Sequence, residues 1–462
     1  MSEKNNIVII GCGAGGGTAA QFARKTNRDA NITIIEKGKY PQYSKCGLPY
    51  VISGEIPSFE NLIEFSEDWF AKEKIELRLN TSAEGIDVQN KKIIYKNKEG
   101  EFEQIYDKLI LATGANSSIP PIKNIFENNK LINGIYSLRN IDDGKKILKF
   151  ANKGVKVVVV GAGLIGLELA DVLYKKGLNV TIVEALPNIL QNSLDQDMIN
   201  FIEDNIKEKI RLFTNHLVTR VEANNSNLKK VAILNNNSKE EISIDTDLLI
   251  VAAGTKSNVH LAKKIRCEIG KTGAIVVNNK CETSIKDVYA VGDCTEYKDF
   301  ITNEPICAGL GSIAVRQGIA AGTNAGGGDY KLSDGFLLSR TSRIFDIEIA
   351  ATGPLLTNLD EYKTIIGKVK GLSLPNYYPG GEPINLKIFA DGKNGRILAA
   401  QAVGKNSALR INTIACAILN KSNVDAFRKL ETTYAPPIAP TLDVITLACD
   451  VISLKMARKK IK

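Results

Sequence analysis

Two copies of a short glycine pattern constrain this 462-residue chain more than any other feature. In each copy an apolar, strand-like run leads into Gly-x-Gly-x-x-Gly and then into a helical pattern. The glycines are Gly11, Gly13 and Gly16 in the first copy and Gly161, Gly163 and Gly166 in the second. An acidic residue follows the last glycine, Glu36 after 20 residues and Glu184 after 18. This spacing is typical of a dinucleotide-binding βαβ unit, in which a pyrophosphate meets backbone N–H groups at a helix N-terminus.

The likeness of the two copies continues beyond the acidic residues. Each copy has a polar, hairpin-like segment and then an apolar closing strand, and these lie at 91–106 and 107–114 in the first copy and at 229–244 and 247–254 in the second. A single glycine pattern is weak evidence, whereas two copies in matching contexts predict an α/β fold with two Rossmann-like dinucleotide-binding domains.

The chain changes character after about residue 335. Two segments, 343–352 and 384–402, have strand patterns, and 408–419 has a helical pattern, which together predict a third domain of α+β type. We therefore expect a first dinucleotide-binding domain at 1–120 and 253–332, a second one at 121–252, and a C-terminal domain at 333–462.

Composition and charge exclude several classes of protein. Hydrophobic residues make up 44% and charged residues 24% of the chain, as in ordinary globular domains. The net charge of +9 favours an anionic ligand, but no basic stripe with interleaved aromatic residues predicts nucleic-acid binding. The longest apolar run, 157–167, is too short to cross a membrane. The eight cysteines have neither CxxC nor metal-ligand spacing, so we expect no metal site and a reducing, cytoplasmic location.

Cys46 is the candidate for covalent redox chemistry. It follows Glu36 by 10 residues, which brings it near the first predicted nucleotide site. The adjacent Lys45 and the start of a following helix both favour the thiolate, which is the nucleophilic form of cysteine. The position where a second cysteine would complete a CxxxxC redox pair is Val51. We therefore predict that Cys46 acts without such a partner.

Together with further motifs, these features resemble the FAD-dependent pyridine nucleotide–disulfide oxidoreductases over nearly the whole chain. Within that family the chain is similar to the single-cysteine branch, which contains coenzyme A disulfide reductase, NADH oxidase and NADH peroxidase. The further motifs are Cys46-Gly-Leu-Pro-Tyr50, Ala112-Thr-Gly114, Tyr289-Ala-Val-Gly-Asp293, Ile344-Phe-Asp346, Tyr377-Tyr-Pro-Gly380 and Tyr434-Ala-Pro-Pro437.

The resemblance implies residues for each part of the site. For FAD they are Gly11, Gly13, Gly16, Glu36 and Asp293, and for NAD(P) they are Gly161, Gly163, Gly166, Glu184 and Glu168, the last near the nicotinamide. Further cofactor-binding candidates are Lys37, Thr113, Gly114, Gly254 and Gly292. Cys46 matches the redox cysteine, and the catalytic tyrosines are Tyr377 and Tyr434, the latter supplied by the partner subunit of a homodimer. Candidates for binding the substrate are Arg24, Lys25, Gln42 and Lys45.

The activity implied is transfer of electrons from NADH through FAD to a disulfide or sulfur substrate held on Cys46. No arginine directly follows Glu184, which favours NADH over NADPH. Gln42 and Lys45 replace a serine and an asparagine that hold coenzyme A in its reductases, so the substrate stays open between CoA disulfide, CoA persulfide and polysulfide. One alternative is an NADH oxidase that reduces O₂ through a Cys46 sulfenic acid, although Ala14 replaces the histidine used there. The other is a non-enzymatic flavin redox sensor or carrier.

Overall fold

A computed structural model describes residues 5–460, without the side chain at position 460. The chain forms two units, each assembled from separate stretches of sequence. The first contains the described residues up to Ser118 together with Arg139–Gly144 and Thr255–Phe336, and the second contains Ile119–Leu138, Lys145–Gly254 and the described residues from Leu337 onward. The boundaries of the three predicted domains stay a prediction.

The helices and strands are numbered in chain order. The helices are α1 (Ala14–Thr26), α2 (Leu48–Ser53), α3 (Glu67–Lys72), α4 (Ile141–Phe150), α5 (Leu164–Lys175), α6 (Gln196–Lys207), α7 (His260–Lys264), α8 (Gly311–Ala325), α9 (Ser407–Leu419), α10 (Val424–Phe427) and α11 (Val444–Lys460). Short 3₁₀ helices lie at Lys45–Gly47, Phe59–Leu62, Leu356–Asn358 and Asp360–Tyr362. The strands of the first half are β1 (Asn6–Ile10), β2 (Asn31–Ile35), β3 (Ile75–Arg78), β4 (Ser82–Asp87), β5 (Lys92–Asn97), β6 (Gly100–Ile105), β7 (Lys108–Leu111), β8 (Ala115–Ser117), β9 (Phe126–Glu127), β10 (Lys130–Leu131), β11 (Ile135–Tyr136), β12 (Lys156–Val160), β13 (Asn179–Val183) and β14 (Arg211–Phe213). Those of the second half are β15 (His216–Asn224), β16 (Asn227–Asn235), β17 (Glu241–Asp245), β18 (Leu248–Val251), β19 (Thr255–Ser257), β20 (Ile275–Val276), β21 (Val288–Ala290), β22 (Thr295–Lys298), β23 (Pro305–Ile306), β24 (Arg340–Ile344), β25 (Ile347–Thr352), β26 (Ile365–Leu372), β27 (Pro383–Ala390) and β28 (Ile397–Gly404).

The first unit is built on a parallel sheet with the strand order β21-β7-β1-β2-β3. Strands β1 and β2 are runs of buried isoleucine and valine with few polar residues. Such runs are typical of parallel strands that are covered on both faces. The antiparallel strands β4, β5 and β6 lie between β3 and β7 in the sequence and form a separate sheet.

The second unit repeats this arrangement. Its parallel sheet has the order β11-β18-β12-β13-β14, and the antiparallel strands β15, β16 and β17 again precede the closing strand β18. Strand for strand, β12, β13, β14 and β18 correspond to β1, β2, β3 and β7. The predicted α/β fold with two Rossmann-like units is therefore confirmed.

The C-terminal part of the second unit is an antiparallel sheet in the order β24-β25-β28-β27-β26, with α9 and α11 packed on it. The stretches 343–352 and 384–402, where strand patterns were predicted, each contain parts of two strands joined by a turn. In the first stretch, Phe345 and Asp346 form the turn with φ angles of +47° and +69°. Two-residue turns of this kind normally contain glycine or asparagine, so this turn was not predictable from its residues.

Helices α1 and α8 of the first unit approach each other closely through glycine. A Cβ atom on Gly322 would lie 2.2 Å from the carbonyl oxygen of Ala19, and one on Gly318 would lie 2.5 Å from the carbonyl oxygen of Gly15. Neither glycine therefore leaves room for a side chain. This contact holds the helix of the first glycine turn against α8.

We expect the Gly322→Ala substitution to destabilise the first unit by about 1–3 kcal/mol, because the added methyl group forces the two backbones apart. In an ordinary helix interior the same substitution would stabilise the protein. Thermal unfolding followed by near-UV circular dichroism measures the effect. Arg316→Ala, at an exposed position of α8, is the control and should change stability by less than about 0.5 kcal/mol. A Gly322→Ala protein as stable as the parent would contradict the close contact.

Candidate active site

The three glycines of the first turn, between β1 and α1, have different roles. Gly11 has a φ of +106°, and a Cβ atom there would lie 2.3 Å from the carbonyl oxygen of Ala112. A Cβ atom on Gly16 would lie 1.9 Å from the carbonyl oxygen of Gly11, so the helix starts directly against the strand end. By contrast, a Cβ atom on Gly13 would meet nothing within 4 Å. Gly13 therefore borders open space at the N-terminus of α1, which fits the pyrophosphate of a dinucleotide.

The second turn, between β12 and α5, has the same geometry. Gly161 has a φ of +103°, and a Cβ atom there would lie 2.6 Å from the carbonyl oxygen of Ala252. A Cβ atom on Gly166 would lie 2.0 Å from the carbonyl oxygen of Gly161, whereas one on Gly163 would meet nothing within 4 Å. The residues of this turn fit a second dinucleotide.

The acidic residues Glu36 and Glu184 each hydrogen-bond to the backbone of a glycine turn. The Glu36 carboxylate accepts hydrogen bonds from the backbone N–H groups of Cys12, in the glycine turn, and Gly38, in the loop after β2, both at 2.6 Å. Glu184 makes the equivalent pair of bonds in the second unit, at 2.6 and 2.8 Å. Each carboxylate oxygen has a further lone pair, so both acids are also able to accept a bond from a ribose hydroxyl.

Asp293 follows β21, at the carboxyl edge of the first parallel sheet. Its carboxylate forms a salt bridge with Arg139 at 2.5 Å, and its carbonyl oxygen accepts a hydrogen bond from the Ser257 hydroxyl at 2.7 Å. Arg139 also donates to the carbonyl oxygen of Ala115 at 2.9 Å. Arg139 was not predicted from the sequence, because it lies in no motif and is 154 residues from its partner.

The remaining cofactor candidates lie at strand ends in their own units. Thr113 and Gly114 follow β7, and the Thr113 hydroxyl donates to the carbonyl oxygen of Asn258 at 2.7 Å. The glycines Gly114, Gly254 and Gly292 all have positive φ angles, of +63°, +89° and +81°. Lys37 is exposed in the loop after β2. Their predicted contacts with a cofactor stay predictions.

Cys46 is an exposed thiol in the 3₁₀ helix that precedes α2. A Cβ atom on Gly311 would lie 3.9 Å from the Cys46 sulfur, and Gly311 is the first residue of the 15-residue helix α8. The partial positive charge at the N-terminus of a long helix stabilises a nearby thiolate. The helix expected to follow the cysteine does form, but α2 has only six residues. The structure thus places the N-terminus of a longer helix, α8, beside Cys46, which the sequence around the cysteine did not indicate.

Lys45 lies within a cluster of charges around Cys46. Its side chain reaches solvent, but the surrounding protein atoms displace much of its water, and this desolvation, together with the charge of Arg139, lowers the pKa of the Lys45 amine. The acidic groups of Glu36 and Asp293 partly oppose this shift, as does Cys46. The cysteine and the two cofactor acids therefore share one electrostatic environment.

Arg24 is buried and hydrogen-bonded within the protein, which does not favour the substrate role predicted for it; that role stays a prediction. The residue is 6% exposed, and its guanidinium donates to the carbonyl oxygens of Arg28, Glu73 and Lys74 at 2.8, 2.9 and 2.7 Å. These bonds use its donors to tie α1 to the segment before β3. Lys25, the next residue, is exposed and lies over the Phe22 ring at 4.5 Å, so its predicted substrate role stays open.

Gln42 is also buried, and its predicted substrate role stays a prediction. Its side chain is 7% exposed and packs on α1, where a Cβ atom on Gly17 would lie 1.6 Å from the Gln42 Oε1 atom. That oxygen has no hydrogen-bond partner in the described part of the chain. Lys45, by contrast, is exposed and is the accessible candidate of this segment.

Tyr377 and Tyr434 come together in the second unit. Their hydroxyl groups share a short hydrogen bond, which raises the pKa of Tyr377. Both rings remain accessible, at 70% and 47% exposure. Two tyrosines 57 residues apart thus form one hydroxyl pair on the surface of this unit.

Glu168 lies on α5, which begins at the second glycine turn. Its carboxylate accepts a hydrogen bond from the Ser342 hydroxyl at 2.6 Å. Burial raises the pKa of Glu168, and the bond from Ser342 opposes part of that rise. Glu168 was among the residues predicted from the sequence, whereas Ser342 was not.

Between residues 5 and 460, no helix combines the length and the apolar character needed to cross a membrane. In the same stretch, no three histidine, cysteine or acidic residues are arranged to hold a metal ion.

The pyridine nucleotide-disulphide oxidoreductase model matches residues 5–321, and the dimerisation-domain model of the same family matches residues 341–444. The chain therefore belongs to this family, whose enzymes use FAD and NAD(P)H, and it is an oxidoreductase. The open space beside Gly13 and Gly163 and the placement of the two acids fit these two dinucleotides.

Similar proteins cover almost the whole chain. The NADH oxidase of Methanocaldococcus jannaschii is 39% identical over 460 residues, which are 98% of this chain and 99% of that protein. The NAD(P)H sulfur oxidoreductase (CoA-dependent) of Pyrococcus abyssi is 32% identical over 458 residues, with coverage of 98% and 99%. Among solved structures, an NAD-dependent persulfide reductase from A. fulgidus has a TM-score of 0.91 and 32% identity, covering 98% of this chain and 84% of its own.

Substitution of the middle glycine of each turn tests which turn binds which dinucleotide. Valine is compatible with the backbone of Gly13 and Gly163, whose φ angles are −74° and −76°. We expect Gly13→Val to fold but to retain roughly tenfold less FAD, because its side chain fills the space next to the helix N-terminus. Gly163→Val should keep its FAD and bind NAD⁺ roughly tenfold more weakly.

Flavin absorbance per protein and calorimetric titration with NAD⁺ measure the two effects, and far-UV circular dichroism checks folding. Each variant is the control for the other. Equal loss of FAD in both proteins would contradict the assignment.

Proposed function

We propose that this chain is a homodimeric, FAD-dependent NADH oxidoreductase that reduces a disulfide, persulfide or polysulfide through Cys46. The observation that carries the proposal is the position of Cys46. It is an exposed thiol beside the N-terminus of α8, within the unit that contains the first glycine turn. A carrier that only transfers electrons to a partner protein has no need of such a thiol.

Within this proposal the sulfur chemistry occurs on Cys46. When bound, FAD supplies the two-electron relay between a reduced pyridine nucleotide and a sulfur–sulfur bond. The Cys46 thiolate attacks one sulfur of the substrate disulfide, forms a mixed disulfide with that half and releases the other half as a thiolate. Two electrons then break the mixed disulfide, so the second half leaves as a thiolate and the Cys46 thiolate is restored. Two protons convert the released thiolates to thiols.

The tyrosine pair is the proposed proton source for the departing thiolate. Tyr434 and Tyr377 are exposed, and their shared hydrogen bond lets one hydroxyl replace a proton that the other gives away. In the homodimer we propose, Tyr434 of the partner subunit serves the Cys46 site. The match to the dimerisation-domain model supports the homodimer, as do the exposed apolar side chains of Ile438 and Leu442, which are 71% and 61% accessible.

We propose NADH as the reductant. Two backbone N–H groups hold the Glu184 carboxylate below the second glycine turn. A fixed carboxylate accepts hydrogen bonds from a ribose 2′-hydroxyl but repels the 2′-phosphate of NADPH. The three residues that follow, at 185–187, contain no arginine to offset that repulsion.

The names of two similar proteins, a CoA-dependent sulfur oxidoreductase and a persulfide reductase, support a sulfur substrate. We therefore propose a small sulfur species, including CoA persulfide or CoA disulfide, with Lys45 and Lys25 as its cationic contacts.

No disulfide forms among the described residues, which supports the proposed cytoplasmic location.

Reduction of O₂ is the second candidate activity, because the relative from M. jannaschii is named an NADH oxidase. In that reaction Cys46 would cycle through a sulfenic acid. The histidine implied by resemblance to the oxidases is replaced by Ala14, whose methyl group neither donates nor accepts a proton. The sulfur substrate is for this reason the preferred one.

The Cys46→Ser substitution should abolish NADH-dependent reduction of disulfide or polysulfide, by at least about 10³-fold, because serine does not form the mixed disulfide. FAD should remain bound, and NADH should still bleach its absorbance. Turnover is measured under strict anaerobiosis, so that O₂ does not accept the electrons.

Cys416→Ser is the matched control, since Cys416 is also exposed but lies on α9 in the other unit. It should retain the parent activity. Sulfur reduction by Cys46→Ser at the parent rate would refute the proposal, and NADH turnover that occurs only in air would favour the oxidase.

The Tyr434→Phe substitution should slow thiol release about 10²-fold, because it removes the hydroxyl proposed to protonate the leaving thiolate. Stopped-flow measurement of thiol release with a thiol-reactive dye separates this step from flavin reduction, which should be unchanged. Tyr378→Phe, at the exposed neighbour of Tyr377, is the control. Unchanged thiol release in Tyr434→Phe would leave the tyrosine only a packing role.

A further inference from the structure

A hydroxyl group of the C-terminal sheet reaches the helix of the second nucleotide turn. The Ser342 hydroxyl on β24 donates to Glu168 Oε1 on α5 at 2.6 Å, and Ser342 is only 8% exposed. In the part of the chain that the structure describes, no other hydrogen bond to the Glu168 carboxylate is present. Its second oxygen, Oε2, is therefore available to a ligand.

The turn between β24 and β25 fixes the register of this contact. Phe345, in the turn, is 1% exposed and packs on the Tyr174 ring of α5 with centroids 5.7 Å apart, and Asp346 forms a salt bridge with Lys175 at 2.7 Å. From Tyr174 back to Glu168 is about 9 Å along a helix, and from Phe345 back to Ser342 is about 10 Å along a strand. The anchored turn thus brings Ser342 alongside Glu168.

Phe345 adopts a conformation that is costly for a bulky residue. Its φ of +47° lies in the left-handed region, which such a residue adopts only where the surroundings stabilise it. Here Phe345 is buried against the Tyr174 ring, and this packing supplies the stabilisation. Because Phe345 adopts this conformation only when packed on Tyr174, the position of the hairpin on α5 is well defined.

The charged groups near Glu168 have other partners. On α5, Asp171 pairs with Lys175 at 3.2 Å. On β24, Arg340 donates to the carbonyl oxygens of Leu338 and Ser193, and Arg343 is exposed on the alternate face of the strand from Ser342. At the end of β13, Glu184 is held by backbone N–H groups, and Asp346 pairs with Lys175. Among the described residues, the Ser342 hydroxyl is thus the group that directly hydrogen-bonds to the Glu168 carboxylate and orients it.

We propose that Ser342 is a positioning residue of the nicotinamide site, holding the Glu168 carboxylate so that Oε2 accepts a hydrogen bond from the carboxamide N–H of the nicotinamide. This inference rests on the proposed function, since it takes the second glycine turn as the NADH site. A bond to one oxygen fixes the carboxyl plane and leaves the other oxygen as an acceptor.

The same bond sets the pH range over which the nucleotide binds. The unprotonated carboxylate is the better acceptor, so affinity should fall as the pH falls through the pKa of Glu168. Burial raises that pKa, and the bond from Ser342 opposes the rise. Without the hydroxyl the pKa rises further, and the loss of affinity therefore begins at a higher pH.

The test is calorimetric titration of the FAD-loaded protein with NAD⁺ across a pH series. We expect Ser342→Ala to weaken binding about five- to tenfold near neutral pH, with the pH profile displaced upward. Ser342→Thr should restore affinity and profile, because threonine keeps the hydroxyl. Thr341→Ala is the control: its hydroxyl donates to Ile349 on the neighbouring strand at 2.8 Å and should not affect binding.

A second background separates positioning from general damage to the fold. In a Glu168→Gln protein the side chain at position 168 does not titrate. In this background Ser342→Ala should change the affinity for NAD⁺ less than twofold and leave its pH profile flat. An equal loss in both backgrounds, or an unchanged profile in Ser342→Ala, would overturn the inference. Failure of the parent protein to bind NAD⁺ or to be reduced by NADH would instead overturn the proposed function.

Discussion

The two nucleotide units depend on one close contact, between the first and third glycines of each turn. In both turns a Cβ atom on the third glycine would lie about 2 Å from the carbonyl oxygen of the first, 1.9 Å at Gly16 and 2.0 Å at Gly166. Because no side chain separates them, the helix begins directly at the strand end and directs its N-terminal N–H groups to one point. The acidic residue then hydrogen-bonds to the back of the turn. A bulkier residue here would remove the anion site and displace the helix from the sheet.

Patterns that span a few residues predicted the fold well. The glycine turns, the apolar strands and the acids at their fixed spacing are local, and each unit repeats them in the same order. The features that were missed join distant parts of the chain. Cys46 is 265 residues from Gly311 in sequence, and Arg139 is 154 from Asp293. No periodicity encodes such pairs, because they depend on which strand ends meet at the edge of a sheet.

Burial separates Arg24 and Gln42 from Lys25 and Lys45, the exposed candidates for binding the substrate. Gln42 lies four residues before Cys46 and Arg24 lies on the first helix, so each polar side chain was a reasonable candidate from the sequence. The fold uses the guanidinium of Arg24 to donate to four carbonyl oxygens, and Gly17 makes the space that Gln42 fills. Buried arginine is stabilised when its donors are all paired. Sequence position alone does not distinguish a polar side chain that serves the fold from one that serves a ligand.

The duplicated units differ in the segment between their second and third strands. In the first unit that segment contains Cys46 and the short helix α2. In the second it contains α6, and two acids at its start, Asp195 and Asp197, bind the buried amine of Lys387 on β27, each at 2.7 Å. The first unit thus has an exposed thiol in this segment, whereas in the second unit the segment is joined to the C-terminal sheet by salt bridges. Ser342 lies on β24 of that same sheet. The salt bridges of Lys387 and the hairpin of β24 and β25 together keep α5 in one position relative to the sheet.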